Sequence, residues 1–585
     1  MKVKAYCAAN VRGNDEIIVG GFDLESEGLG GRILMMQWGV FGKVYHSTAA
    51  NMVEEFLEFI MDYPSPVIWY AHFAQYDWRY FMGEFVRLGL DVQIHMRSDS
   101  AAYQITIKNK RGKKVIMRDS WALWPGTLKN LAESFCPELS KHEIDVANFD
   151  PANPVHVAYA RRDVEILLCA LPRLFALLHR DFGVQPSGTT AGTALKAWQS
   201  KIPAGTYFNG STHNARELYI RSAYYGGLVF LTDTNIVEDA ITVDRNSSYP
   251  ASMCEFGVPG GTCYQTKEFQ NDHMAIYTVR VRAPAGLVIP ILPARNESGA
   301  MRWFRGEFTT TVTNRELVFA ANNGYEILEI IEGIAWEETI FPFNEIVERC
   351  KAVRKEFERA PDQVAAPENT LAKLMQNSIY GKFGSRRERL RVFAEHNATD
   401  ADFEGAEPYG GDGEWYIKKE FDEDMLCKPE WSVFITAHAR LSLLQNAYSC
   451  GVENVIYGDT DSLTIRRGFE GSVDIGGDYG QWKVEKEWTQ FRAIAPKVYS
   501  GVLKSGKRVA AAKGLPKKGV SDETKRELLE YGASRATVLS LDSLRLTLKM
   551  GVRPARMLTR VSSTLTHSIN FERLPNGKVQ PKIAA

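Results

Sequence analysis

The sequence predicts a multidomain fold of mixed α/β and α+β class. Three observations carry this. A chain of 585 residues is longer than one hydrophobic core supports. Strand-like and helix-like apolar runs alternate through residues 1–190. A strand end, a helix and a hairpin, each with polar residues at regular spacing, then follow between 241 and 465.

In chain order, Ile17-Ile18-Val19 leads into Gly-Gly-Phe-Asp-Leu-Glu, a strand whose period of two puts Asp23 and Glu25 on one face. Trp69-Tyr70-Ala71-His72 is a second apolar strand, and the chain then runs through Phe73 to Asp77. Tyr159 stands four residues before Asp163 on a helical run ending at Leu167-Leu168. The run Ile241-Thr242-Val243 predicts a buried strand with Asp244 at its end, followed by the turn-forming Arg-Asn-Ser-Ser-Tyr249-Pro. Residues 368–380 read as a helix with Lys373, Asn377 and Tyr380 at i, i+4 and i+7 on one face, and with Gly381 as its C-cap. Val455-Ile456-Tyr457 and Leu463-Thr464-Ile465 flank Asp459 and Asp461, predicting a hairpin that presents both carboxylates on one face.

A lone Asp-x-Asp is ordinary turn chemistry. Two carboxylate-bearing strand ends on either side of a helix with a lysine face form a more specific pattern. Nucleotide transfer needs two divalent cations about 3.5–4 Å apart, and carboxylates on rigid elements hold them.

Taken together, Val-Asp-Arg-Asn-Ser-Ser-Tyr-Pro at 243–250, Lys-Leu-Met-Gln-Asn-Ser-Ile-Tyr-Gly at 373–381 and Tyr-Gly-Asp-Thr-Asp-Ser at 457–462 resemble the family B DNA polymerases. The resemblance implies that Asp244 and Asp461 bind metal with Asp459 beside them. It implies that Tyr249 excludes ribonucleotides and that Lys373, with Asn377 and Tyr380, meets the incoming nucleotide. Lys351, on a preceding helical stretch, is a candidate for a second phosphate contact. Lys497 and Tyr499 are similar to the family's primer-stabilising Lys-x-Tyr motif.

Asp23, Glu25, Asp77 and Asp163, with Tyr159, resemble the three-part site of a 3′–5′ proofreading exonuclease, in which four carboxylates hold two metals. Lys141 and Ser120 resemble an exonuclease lysine and a single-strand ligand of the protein-primed branch. One departure stands out. Phe73 occupies the place of an Asn that helps bind the 3′ end, so stacking on a base would replace hydrogen bonding.

Chain length and two excursions, at about 260–340 and 385–430, resemble the protein-primed polymerases of bacteriophages and linear plasmids. In that branch such insertions contact a terminal protein and help encircle DNA. Thr436 and Arg440 resemble a primer-template-binding motif, and Tyr224, Gly226 and Gly227 one that helps choose between the two sites. The expected organisation is a ribonuclease-H-like exonuclease domain at 1–190 and a right-hand polymerase domain at 191–585. Within the latter the palm is expected at about 220–260 and 430–500, the fingers at about 343–382 and a small thumb at about 500–585. The implied cofactor is Mg²⁺, two ions per site, with Mn²⁺ able to substitute. The implied partners are primer-template DNA, dNTPs and a terminal protein primer, with the enzyme itself a monomer.

Net charge is −1, so any grip on phosphates must be local. Residues 497–560 hold roughly fifteen Lys and Arg against about five Asp and Glu. The eight cysteines lack Cys-x-x-Cys spacing, which argues against a zinc site or a disulfide scaffold and suits a reducing cytoplasm. No apolar stretch reaches membrane-spanning length and Met-Lys-Val-Lys lacks a signal-peptide core, so a cytoplasmic location, in a host cell if viral, is expected. Three readings remain beside the protein-primed one: start from a nucleic-acid primer, start without a primer, or a nuclease-only DNA-binding protein. An RNA-dependent polymerase is disfavoured because Thr460 separates Asp459 from Asp461.

Overall fold

The computed structural model describes residues 17–28, 31–98, 101–109, 111–139, 144, 148–202, 215–358, 366–386, 388–395, 398–408, 415–421, 426–513, 520–541, 558–565 and 571–583. Three large sheets organise them.

The N-terminal sheet is built around three parallel strands, with Ile18–Ser26 beside Val67–Ala71 and the latter beside Lys114–Asp119. Parallel strands need cover on both faces. The helix Met52–Asp62 covers one face through Phe56, Leu57 and Ile60, and the long helix Pro154–Phe182 covers the other. That helix starts with the Asn153 side chain accepting from the Val155 amide and Pro154 in the first turn; it stops at Gly183, whose φ of 67° favours a residue without Cβ. Gly21 lets it approach closely, since a Cβ there would lie 3.2 Å from Val164.

The second sheet has the strand order Arg508–Ala512, Val498–Leu503, Trp482–Ala495, Val237–Arg245, Ser462–Arg466, Val455–Asp459, Val229–Leu231. Its buried hydroxyls are paired, with Thr242 and Thr464 2.8 Å apart and Trp488 Nε1 donating to Thr242 Oγ1. This sheet extends to Ala512, beyond the expected palm boundary near 500.

The expected first insertion is a third sheet, in which Val258–Gln265, Glu326–Ile340, Met274–Ala283 and Met301–Thr313 are neighbours. It shares one hydrophobic core with the second sheet, Tyr277, Val279 and Val281 packing in the same cluster as Val243, Leu463 and Ile465. The strand Val579–Ile583 adds to its edge in parallel with Met301–Thr313, so the end of the expected thumb belongs to this sheet.

The expected second insertion also lies differently from a free-standing loop. Glu388–Ala394 pairs with Asp91–Ser98, so this segment adds three strands to the N-terminal sheet and makes it ten-stranded. The helix predicted over 368–380 runs Pro367–Phe383 and is capped at Gly384, not Gly381. It lies against Asn344–Glu356, and both pack on an aromatic hub in which Phe383 meets Trp198 and Trp431 at 5.0 Å each.

Candidate active sites

The first site forms at the carboxyl ends of the parallel strands, where chain crossings open a crevice. Asp23 and Glu25 come from Ile18–Ser26 and Asp163 from the helix over it, and oxygens of all three lie within 4.8 Å of one another. Gln37 Nε2 donates to Asp23 Oδ2 at 2.7 Å and fixes that carboxylate. Asp77, at the start of Asp77–Arg87, stands beside this triad and not within it. Burial pushes its carboxyl well above the usual range, with Asp119 and Glu25 adding repulsion, and its Oδ1 has no hydrogen-bond partner. Like charges crowded in a buried place, one with an open oxygen, are a donor set that fits a divalent cation. Tyr159 sits one turn before Asp163, largely buried against Met35 and Phe149.

Around this cluster the structure alters two readings. Ser120, expected as a single-strand ligand, is fully buried, donates to the Ala71 carbonyl and pairs with His72 Nδ1, so it braces His72. Phe73 is half-exposed with φ of 65° and donates its amide to Asp119 Oδ1. The left-handed region suits Asn and is strained for a bulky ring. The Phe73 ring also stands edge-on to Trp121 at 6.1 Å, an aromatic neighbour that sequence reasoning missed. Lys141 lies outside the described residues.

The second site forms where Val237–Arg245 meets the hairpin. Asp244, next to last in its strand, lies opposite Ser462, and the Arg245 amide donates to the Asp461 carbonyl at 2.7 Å. Asp459 ends Val455–Asp459, but Asp461 lies in a two-residue turn with Thr460 at φ of 62°. The two carboxylates therefore converge through the turn and not, as expected, through strand alternation. Burial, then Asp244, then Asp459 push the Asp461 carboxyl up to about 6. Burial also raises Asp244, opposed by Lys483 at 3.4 Å. Asp459 is held differently, by Lys497 Nζ at 2.8 Å and the Tyr457 hydroxyl at 3.2 Å. Asp461 thus carries repulsion from Asp244 and Asp459, and Asp244 repulsion from Glu485, crowding that a dication would relieve.

Tyr249, on the short helix Ser248–Glu255, stacks on Tyr380 with ring centroids 4.3 Å apart. Lys373 and Asn377 are exposed on the same helix as Tyr380, and the Lys373 charge favours ionised Asp244. Lys351 lies over the Tyr479 ring at 5.6 Å. Arg354, one turn further on, was missed although its i+3 spacing from Lys351 is visible in the sequence; it donates to Ser247 at 2.8 Å. Tyr499 packs in an aromatic group with Tyr457 and Phe491.

Thr436 and Arg440, expected to meet primer-template, are buried. Thr436 bonds back to Ser432 within its own helix. Arg440 forms an ion pair with Glu316 at 2.7 Å and donates to the carbonyls of Tyr225 and Gly226. Through Arg440 the helix is tied to the Tyr224-x-Gly226-Gly227 turn. Gly227 is needed there because a Cβ would lie 2.7 Å from Thr460 Oγ1, in the turn between the two aspartates. Tyr224 packs beside Gly384 and Ser432.

Among the described residues no helix is long and apolar enough to cross a membrane. Residues 152–406 match the family described as DNA polymerase type B, organellar and viral. The DNA polymerase of Bacillus phage M2 is 27% identical over 390 residues, 61% of this chain and 62% of that protein. The DNA polymerase of Bacillus phage phi29 is 25% identical over 383 residues, 61% of each. The chain thus spans somewhat less than two thirds of the length of these relatives. The solved structure of phi29 DNA polymerase complexed with primer-template DNA and incoming nucleotide substrates superimposes with a TM-score of 0.73 at 18% identity, covering 94% of this chain and all of that one.

Proposed function

We propose that this chain is a type B DNA polymerase of the organellar and viral kind, a DNA-directed enzyme carrying a 3′–5′ exonuclease. The observation that carries the proposal is the meeting of Asp244 and Asp461 in one crowded pair, faced by Lys373 and the Tyr249–Tyr380 stack.

Asp244 and Asp461 would hold two Mg²⁺ ions, with Mn²⁺ able to substitute; Asp23, Glu25 and Asp163, with Asp77, would hold two more. Such ions activate the attacking oxygen and neutralise charge on the leaving group. Lys373, with Lys351 and Arg354 from the neighbouring helix, supplies fixed positive charge for a triphosphate. Tyr249, backed by Tyr380, forms a flat wall beneath the sugar and rejects a 2′-hydroxyl by lack of room. Asp459, already neutralised by Lys497, tunes the pair more than it ligates. Lys497 and Tyr499 would steady the primer end. In the nuclease, Tyr159 would orient the attacking water, and Phe73 would stack on the terminal base.

Start from a terminal protein, on a small linear viral or plasmid genome in a host cytoplasm, completes the reading. Its support is the pair of insertions and the phage relatives. Nucleotide incorporation on a primed template tests the core of it. Asp244→Ala or Asp461→Ala should abolish incorporation and spare Mg²⁺-dependent removal of 3′ nucleotides, while Asp23→Ala with Asp163→Ala should do the reverse. Loss of both activities from one natively folded variant would contradict two separate centres.

A further inference from the structure

A closed hydrogen-bond circuit joins the helix pair to the turn after Asp244. Arg354 Nη1 donates to Ser247 Oγ at 2.8 Å and to the Tyr479 hydroxyl at 3.0 Å. The Tyr479 hydroxyl donates to Gln376 Oε1 at 2.7 Å, and Gln376 Nε2 donates to Ser247 Oγ at 3.2 Å. The face of Tyr479 also receives two cations, Lys351 Nζ at 5.6 Å and the Arg354 guanidinium at 5.5 Å from the ring centre. One tyrosine therefore gathers two basic residues of Asn344–Glu356, and Arg354 reaches through Ser247 the turn that follows Asp244.

Tyr479 is itself fixed from the second sheet. The Gly480 amide donates to the Asn246 carbonyl, the Asn246 amide to the Gln481 carbonyl, and Asn246 Nδ2 to the Gly476 carbonyl. Gly480 has φ of 85°, and a Cβ there would collide with Glu255. The loop is laced to the turn that carries Ser247, so the tyrosine does not move independently of Asp244.

The charge balance gives the circuit a purpose. Among the described residues no carboxylate forms an ion pair with Lys351 or Arg354, which are held by neutral hydroxyls and an aromatic face. Cations so held, partly out of water, are poised for an anion. We propose that Tyr479 is a positioning residue that preorganises Lys351 and Arg354 to receive the triphosphate of the incoming nucleotide. The inference rests on the reading of the Asp244–Asp461 centre as the nucleotide-adding site.

Tyr479→Phe keeps the ring and removes the hydroxyl. Losing the two hydrogen bonds of that hydroxyl, one accepted from Arg354 and one donated to Gln376, should raise KM for dATP opposite thymine roughly three- to ten-fold while kcat stays within about two-fold. Calorimetric titration with inorganic tripolyphosphate should show affinity weakened by the same factor, and 3′ exonuclease activity should not change. Gln376→Met, which removes the acceptor and leaves the tyrosine, should give the same pattern, and it decides the matter if Tyr479→Phe fails to fold. Unchanged KM and tripolyphosphate affinity in the folded variants, or a fall in kcat alone, would overturn the role. A chain that extends no primer would count against the proposed function, and the tripolyphosphate titration would still decide whether Tyr479 organises an anion site.

Discussion

At the scale of single residues, Asp461 converts crowding into a pH-dependent cost. An ordinary aspartate titrates near 3.8, and here burial with Asp244 and Asp459 raises it to about 6 in the folded state. The sign follows from linkage. A carboxyl whose folded value is raised binds its proton more tightly when folded, so ionisation penalises the fold. Below about pH 4 both states are protonated and there is no penalty; it grows between 4 and 6 and is complete above 6. Two units correspond to on the order of 2–3 kcal/mol. Asp461→Asn should therefore raise the unfolding temperature in chelator at pH 8 and make little difference at pH 4. Added Mg²⁺ should narrow the gap by stabilising the native carboxylate pair. Thermal melts across pH 4–8 check this, and a pH-independent offset would mean that the charge is not the cause.

At the scale of elements, the buried Arg440–Glu316 pair clamps three parts of the chain. Glu316 caps its own helix by accepting from the Thr313 amide and hydroxyl, and its other oxygen receives Arg440 from Pro429–Ser449. Arg440→Met should cost about 3–5 kcal/mol in urea unfolding, because Glu316 is left charged and buried. Adding Glu316→Gln should recover part of that loss. A direct phosphate contact would behave otherwise, weakening DNA binding and lowering its salt dependence by about one ion with stability unchanged.

This pair also marks how far the sequence could be read. Asp244, Lys373, Tyr249 and the Asp459-Thr460-Asp461 turn were legible because local spacing places them on one strand end, one helix face and one hairpin. The burial of Arg440 and Ser120 was not legible because burial is a long-range property: Arg440 is enclosed by a glutamate 124 residues away. Arg354 was within reach of helical periodicity, whereas Tyr479 was not, since its place depends on a glycine-bounded loop docking on a distant turn. The pairing of Glu388–Ala394 with Asp91–Ser98 had no local signal either, for a strand edge does not encode its partner.

At the scale of the whole molecule, that pairing ties together the two parts of the chain that carry the carboxylate clusters. The segment 388–421 leaves the helix that carries Lys373, adds three strands to the N-terminal sheet, and the chain then returns to the helix that carries Arg440. Val392, Ala394 and Trp415 lie in the same core as Phe22 and Trp69, behind the strand that bears Asp23 and Glu25. A segment anchored in this way cannot be only an appendage that encircles DNA. Its removal would bare the Asp91–Ser98 edge and part of that core, an edge with unpaired backbone groups and exposed apolar surface. Deleting about 390–425 should therefore have two effects with different readouts. Product length per binding event under a DNA trap should shorten, as expected for a segment bordering the DNA path. The exonuclease should also inactivate at lower temperature than in the intact chain, because its sheet has lost a neighbour. Single-nucleotide addition at saturating enzyme should persist, since Asp244, Asp461 and Lys373 all lie outside the deletion. Product length unchanged under the trap would remove the segment from the DNA path, and an unchanged inactivation temperature would show that the strand pairing carries no stability for the nuclease.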